Sequence, residues 1–149
     1  MERLAYRTPQ GNIAYWVSRE GRLDRPWLVF LPGLTADYRL FEPQIAAFEG
    51  KANLLVWDAP SHGASRPFEL TWTLDDLARW LHGILEQEGI ERPILVGQSM
   101  GGYTIRPRRF STSSQVRLPV SSRLTRRRSS VSIFTGGRSG RCATPVSCT

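Results

Sequence analysis

This 149-residue chain has only two cysteines, no long apolar run and no acidic residue after position 105. Its two cysteines, Cys142 and Cys148, provide neither a disulfide framework nor the four ligands of a structural zinc site. No apolar run approaches the roughly 20 residues of a membrane span, and the N-terminus lacks the basic and apolar regions of a secretory signal. These absences predict a cytoplasmic protein with no metal and no membrane partner.

Charge divides the chain into two parts. Residues 1–105 carry all 13 acidic residues and 10 basic ones, whereas residues 106–149 carry 10 arginines and no acid. The overall charge of +7 therefore describes neither part. The positive electrostatic field of the second part would attract polyanions, so that part alone could suggest a nucleic-acid partner.

Apolar runs in the first part predict strands. "LAYRT" and "NIAYWVS" are separated by "PQG", which predicts an N-terminal hairpin. The unbroken runs "WLVFL" (27–31), "NLLVW" (53–57) and "PILVG" (93–97) are typical of strands that are buried on both faces. A mostly parallel sheet covered by helices is therefore expected.

Two helical patterns lie between these runs. "TLDDLARWLHGILEQEG" places apolar residues on one face, with Thr73 as its expected N-cap and Gly89 as its stop. "LFEPQIAAFEG" (40–50) predicts a weaker helix that ends at Gly50. Strands that alternate with helices predict an α/β fold.

A catalytic motif follows the third unbroken run. Gly97-Gln98-Ser99-Met100-Gly101 matches Gly-x-Ser-x-Gly, preceded by a predicted buried strand and followed by small residues that permit a helix. Glycines are needed there because the turn is too tight for flanking side chains. Ser99 is the candidate nucleophile, and the backbone N–H of Met100 is a candidate oxyanion donor.

With this motif, residues 1–105 resemble the α/β-hydrolase family. "LPGLTAD" follows the strand at which the family has its oxyanion loop; Pro32 replaces the usual histidine, and Leu34 is the expected second N–H donor. "DAPSHGAS" (58–65) resembles the family's Asp-x-Pro-Gly-His-Gly-x-Ser loop, with Ser61 in place of the first glycine. The resemblance implies an incomplete α/β-hydrolase fold, a doubly wound, mostly parallel sheet with an N-terminal hairpin that is cut after the nucleophile strand.

The resemblance also implies a serine hydrolase of the carboxylesterase type, which acts on a small-molecule ester or related acyl substrate without a cofactor. The family takes its histidine base and its acid from later strands. Asp58 and His62 are expected to organise their loop, and nothing marks His82 as catalytic. The chain as given therefore shows a nucleophile and an oxyanion hole without a base, which predicts an inactive form.

Residues 106–149 show no sustained apolar period of a helix or a strand. They are expected to be disordered or to be the translation of a wrong reading frame. The codons that can encode this segment permit, in a shifted reading frame, a helix-forming stretch that ends in Pro-Gly, where the family's next helix is expected to end. The alternative is a non-enzymatic binding module with a basic nucleic-acid-binding arm centred on "RLTRRRSS" (123–130). Aromatic residues are sparse there, so a nucleic-acid partner is not expected. The sequence does not indicate which oligomeric state the protein adopts.

Overall fold

A six-stranded mixed sheet forms the framework of the protein, in a computed structural model that describes residues 1–19, 25–105 and 131–134. Three α-helices and two short 3₁₀ helices accompany the strands within these residues. The strands are β1 (Glu2–Thr8), β2 (Gly11–Ser18), β3 (Trp27–Leu31), β4 (Asn53–Trp57), β5 (Ile94–Gln98) and β6 (Val131–Phe134), and the α-helices are α1 (Glu42–Phe48), α2 (Leu74–Gln87) and α3 (Met100–Ile105).

The strand order is β1-β2-β4-β3-β5-β6. β1 and β2 form the predicted antiparallel hairpin, and β2 pairs antiparallel with β4. β3 pairs in parallel with both β4 and β5, as the three unbroken apolar runs predicted. Because the chain leaves β3 first towards β4 and later returns on the other side to β5, a crevice is expected at the carboxyl ends of these strands.

Helices cover both faces of the sheet. On one face, α2 and α3 contribute Leu77, Ile84 and Ile105 to a core that includes Leu55 and Trp57. On the other face, α1 and the 3₁₀ helix before it lie over a smaller core. Burial on both faces explains why the central strands are apolar throughout.

The helix boundaries follow local chemistry. The Thr73 hydroxyl accepts from the Asp76 amide while the Asp76 carboxylate accepts from the Thr73 amide, which confirms the predicted N-cap of α2. Gly89 has a φ of +67° just beyond that helix, as its predicted role requires. The weaker helix is shorter than expected, because a 3₁₀ helix (Tyr38–Phe41) precedes it and Pro43 lies in its first turn.

β6 was not expected from the sequence. Its four residues pair antiparallel with β5, with Ile133 opposite Val96. This pairing satisfies part of a sheet edge that would otherwise expose backbone N–H and C=O groups. The remainder of residues 106–149, including the basic arm at 123–130, lies outside the described residues.

No helix in the described part of the chain is long and apolar enough to cross a membrane.

Candidate active site

Ser99 lies on the sharp turn between β5 and α3. Its φ is +52°, a region that non-glycine residues seldom occupy, and the residue is exposed. Strained backbone of this kind persists only where the surrounding structure enforces it, and it is common at active sites. The motif predicted this turn, and the geometry presents the serine hydroxyl at the carboxyl end of the sheet.

The two glycines of the motif allow the turn to pack. A Cβ atom added to Gly101 would lie 2.0 Å from the Leu31 carbonyl oxygen, so α3 passes directly against the end of β3. A Cβ atom added to Gly97 would lie 2.5 Å from the Gly101 carbonyl carbon. Real Cβ atoms do not approach backbone this closely, so both positions require glycine.

The loop after β3 lies beside this turn. A Cβ atom on Gly33 would lie 2.0 Å from the Gln98 side-chain oxygen and 3.1 Å from the Ser99 Cβ. The Ala36 amide donates to the Gly33 carbonyl at 3.2 Å, which closes a turn in which Thr35 has a φ of +66°. Leu34 is the second residue of that turn, and its side chain is 61% exposed. The structure therefore places the two expected oxyanion donors, Leu34 and Met100, on segments that meet at Ser99.

Asp58 joins two of the loops at the carboxyl ends of the parallel strands. It is 1% exposed, and its two carboxylate oxygens accept from the amides of Tyr38 and Ala64, each at 2.7 Å. Burial raises the pKa of the Asp58 carboxyl, while these two hydrogen bonds oppose the increase. Both oxygens are occupied by backbone donors, which agrees with the predicted loop-organising role.

Ser65 was missed by sequence reasoning. Its hydroxyl accepts from the Ala14 amide at 2.8 Å and donates to the Asp58 carbonyl at 2.7 Å, and the residue is fully buried. It therefore ties the loop after β4 to the hairpin. The family loop that "DAPSHGAS" resembles also has a serine at this position, so the motif itself was the available signal.

Neither histidine forms a hydrogen bond with Ser99 in the described residues. His62 is 7% exposed, and its Nδ1 lies 2.8 Å from the Pro60 carbonyl oxygen within its own loop. His82 lies on α2, where its Nε2 is 3.4 Å from a Glu86 carboxylate oxygen. Within the described ranges, no group of three or more His, Cys, Asp or Glu side chains could hold a metal ion.

Known proteins resemble this chain in sequence. The profile of the alpha/beta hydrolase family matches residues 28–138. A 2-succinyl-6-hydroxy-2,4-cyclohexadiene-1-carboxylate synthase from Serratia proteamaculans is 34% identical over 93 residues, which cover 60% of this chain and 34% of that protein. A 3-oxoadipate enol-lactonase from Acinetobacter baylyi is 34% identical over 88 residues, covering 59% of this chain and 33% of the relative.

A solved structure shows the same architecture. The enol-lactonase from Burkholderia xenovorans superimposes with a TM-score of 0.58 at 29% identity, covering 63% of this chain and 36% of that one. The chain thus spans about a third of the length of the relatives that it matches.

Proposed function

Because the chain belongs to the alpha/beta hydrolase family, we propose that Ser99 is the nucleophile of a hydrolase that cleaves esters or lactones. The observation that carries this proposal is the position of Ser99, on a strained turn beside the loop that contains Leu34. A buried structural serine would need neither the positive φ nor the exposure.

The proposed reaction begins when the Ser99 oxygen attacks the substrate carbonyl. A tetrahedral intermediate forms, and the amides of Leu34 and Met100 donate hydrogen bonds to its negative oxygen. The Met100 amide suits this role because it lies in the first turn of α3, where backbone N–H groups have no intrahelical acceptor. Collapse breaks the carbonyl–oxygen bond of the substrate and leaves an acyl group on Ser99, which water then removes.

A base must take the proton from Ser99 for this attack. His62 contacts a carbonyl of its own loop and His82 lies beside Glu86 on α2, and neither histidine is bonded to Ser99 in the described residues, so we propose that the 149-residue chain has negligible activity. A histidine and an acid would act from a segment encoded in the shifted frame. Sequencing the gene across codons 100–110 tests that origin directly.

The substrate class follows from the chemistry and from two of the relatives. A lactone is a cyclic ester, so the same attack opens its ring and keeps the alcohol product attached. Two of the similar proteins are enol-lactonases by name. We therefore propose a small acyl substrate, an ester or a lactone, and a cytoplasmic enzyme that needs no cofactor.

Turnover measurements test the proposal. The frame-restored protein should hydrolyse p-nitrophenyl esters or simple lactones, and Ser99→Ala should lower turnover by roughly 10⁴-fold or more. Ser61→Ala, which alters a neighbouring loop, is the matched control and should retain activity. Full turnover by Ser99→Ala would refute the assignment of the nucleophile.

A further inference from the structure

A groove lies between the N-terminal hairpin and residues 64–69, away from the motif at Ser99. Its volume is about 770 Å³, within the range of small-molecule sites. Arg3, Ala5 and Ala14 line it from the hairpin, and Arg66 and Phe68 line it from the loop. Neither the proposed nucleophile nor its expected oxyanion donors line this groove.

The hairpin register explains the concave shape. Ala5 pairs with Ala14, and Arg3 pairs with Trp16, so these four side chains share one face of the hairpin. The small side chains of Ala5 and Ala14 therefore form the floor of the groove, beside the longer side chains of Arg3 and Trp16. The loop closes the other side, because Phe68 bridges to Gly11 and the Glu69 amide donates to the Gln10 carbonyl at 3.1 Å.

Two arginines, Arg3 and Arg66, line the groove. The Arg3 guanidinium carbon lies 5.9 Å from the centre of the Trp16 ring, and the Arg66 Nε donates to the Ser61 carbonyl at 2.8 Å. These contacts orient both side chains. Neither arginine forms an ion pair among the described residues, and Glu69 is the only acidic residue in the lining. The groove thus carries an excess of positive charge.

The rest of the lining contains both apolar and polar residues. Pro9, Pro67 and Phe68 add apolar surface to that of the two alanines. Thr8, Gln10 and Asn12 add polar groups to the lining.

From these features we propose that the groove binds a small organic carboxylate that has an apolar body. The carboxylate pairs with the Nη groups of Arg3 and Arg66, since guanidinium groups bind carboxylates well. The apolar body lies on the alanine floor against Phe68.

Calorimetric titration of the 149-residue chain with para-hydroxybenzoate tests this site, with para-hydroxybenzyl alcohol as the uncharged probe. We expect saturable binding of the acid with a Kd below about 1 mM, and at least tenfold weaker binding of the alcohol. Arg3→Gln and Arg66→Gln should each weaken binding of the acid about tenfold, because each removes a charged hydrogen-bond donor. Arg92→Gln, which changes the same charge away from the groove, should not.

A second variant separates the groove from charge alone. Ala5→Leu fills the floor and keeps both arginines, and Ala5 is exposed, so the variant should fold. It should abolish binding, with an unchanged circular dichroism spectrum as the check on folding. Absence of saturable binding, equal affinity for the alcohol, or full binding by Ala5→Leu would overturn the proposal. A Ser99→Ala variant should bind normally, so the outcome is independent of the hydrolase assignment.

Discussion

At the scale of single residues, backbone strain is concentrated at one edge of the sheet. Thr35, Ser61 and Ser99 have positive φ values of 66°, 68° and 52°, and they follow β3, β4 and β5 respectively. These strands are parallel neighbours, so their following loops meet at the same edge. Strain of this kind costs on the order of 1–3 kcal/mol per residue and is typical of functional sites.

Ser61 allows the strain to be separated from a side-chain contact. Its hydroxyl accepts from the Trp72 indole N–H at 3.0 Å. Ser61→Gly removes both the strain and the hydrogen bond, two effects of about 1 kcal/mol that oppose each other. Ser61→Ala removes the hydrogen bond alone. We expect Ser61→Gly to be more stable than Ser61→Ala by about 1 kcal/mol in urea denaturation. Equal stability of the two variants would contradict the role assigned to the positive φ.

Gly101 tests the packing of the turn. Gly101→Ala places a methyl group against the backbone of β3 and should lower the free energy of unfolding by about 3 kcal/mol, the upper range for an overpacked core. Gly89→Ala is the matched control, because its φ is positive but nothing lies within 4 Å of an added Cβ. The Gly89→Ala control should lower the free energy of unfolding by only about 1–2 kcal/mol. Similar losses in the two variants would show that α3 does not pack closely on β3.

At the scale of elements, α2 depends on its capping box. The Asp76 carboxylate accepts from the Thr73 amide and hydroxyl, each at 2.7 Å. Thr73→Ala should lower stability by about 1 kcal/mol at neutral pH. Thr71→Ala, two residues earlier and also exposed, should change it little. Thermal unfolding of both variants measures the difference, and an equal effect would argue against the cap.

The same cap predicts a pH dependence. Hydrogen bonds from the Thr73 side chain and backbone lower the pKa of the Asp76 carboxyl in the folded protein. A depressed folded pKa gives stability that is present above the unfolded value, about 3.9, and is lost as the pH falls through the folded value. The difference between wild type and Thr73→Ala should therefore shrink as the pH falls below about 4. A difference that stays constant to acid pH would exclude a contribution from the carboxylate.

Elements with a clear sequence pattern were predictable. The hairpin, the parallel strands and α2 each combine a regular apolar pattern with turn or cap residues, and all were confirmed. The start of α1 was not, since Tyr38–Phe41 adopts a tighter helix in a stretch whose apolar residues fit either form. β6 was not expected because its four residues lie within an arginine-rich segment that has no sustained period.

At the scale of the whole molecule, loops that are distant in sequence form the candidate site. The pairing of β3 with β4 and β5 brings the segments around residues 33, 58 and 99 to one edge. Sequence motifs predicted which residues would lie there. They could not predict the partners of Asp58 or the contact of Gly33 with Gln98, because such contacts depend on the strand order rather than on local pattern.

The charge division between residues 1–105 and 106–149 also belongs to this scale. From its composition alone, a segment with ten arginines, no acid and no sustained apolar period is not expected to form a core by itself. The frame-shift hypothesis for it remains a prediction. It links the missing base to the composition of the second part, and a restored frame should give both an active enzyme and a more balanced charge.

Covalent labelling of Ser99 is a direct test of its proposed role as the nucleophile. The frame-restored protein would be treated with a fluorophosphonate, which phosphonylates an activated serine, and the modified peptide would be identified by mass spectrometry. We expect one adduct, on Ser99, together with loss of hydrolysis in proportion to labelling; Ser99→Ala should remain unlabelled. An adduct on another residue, or hydrolysis that survives complete labelling of Ser99, would contradict that role.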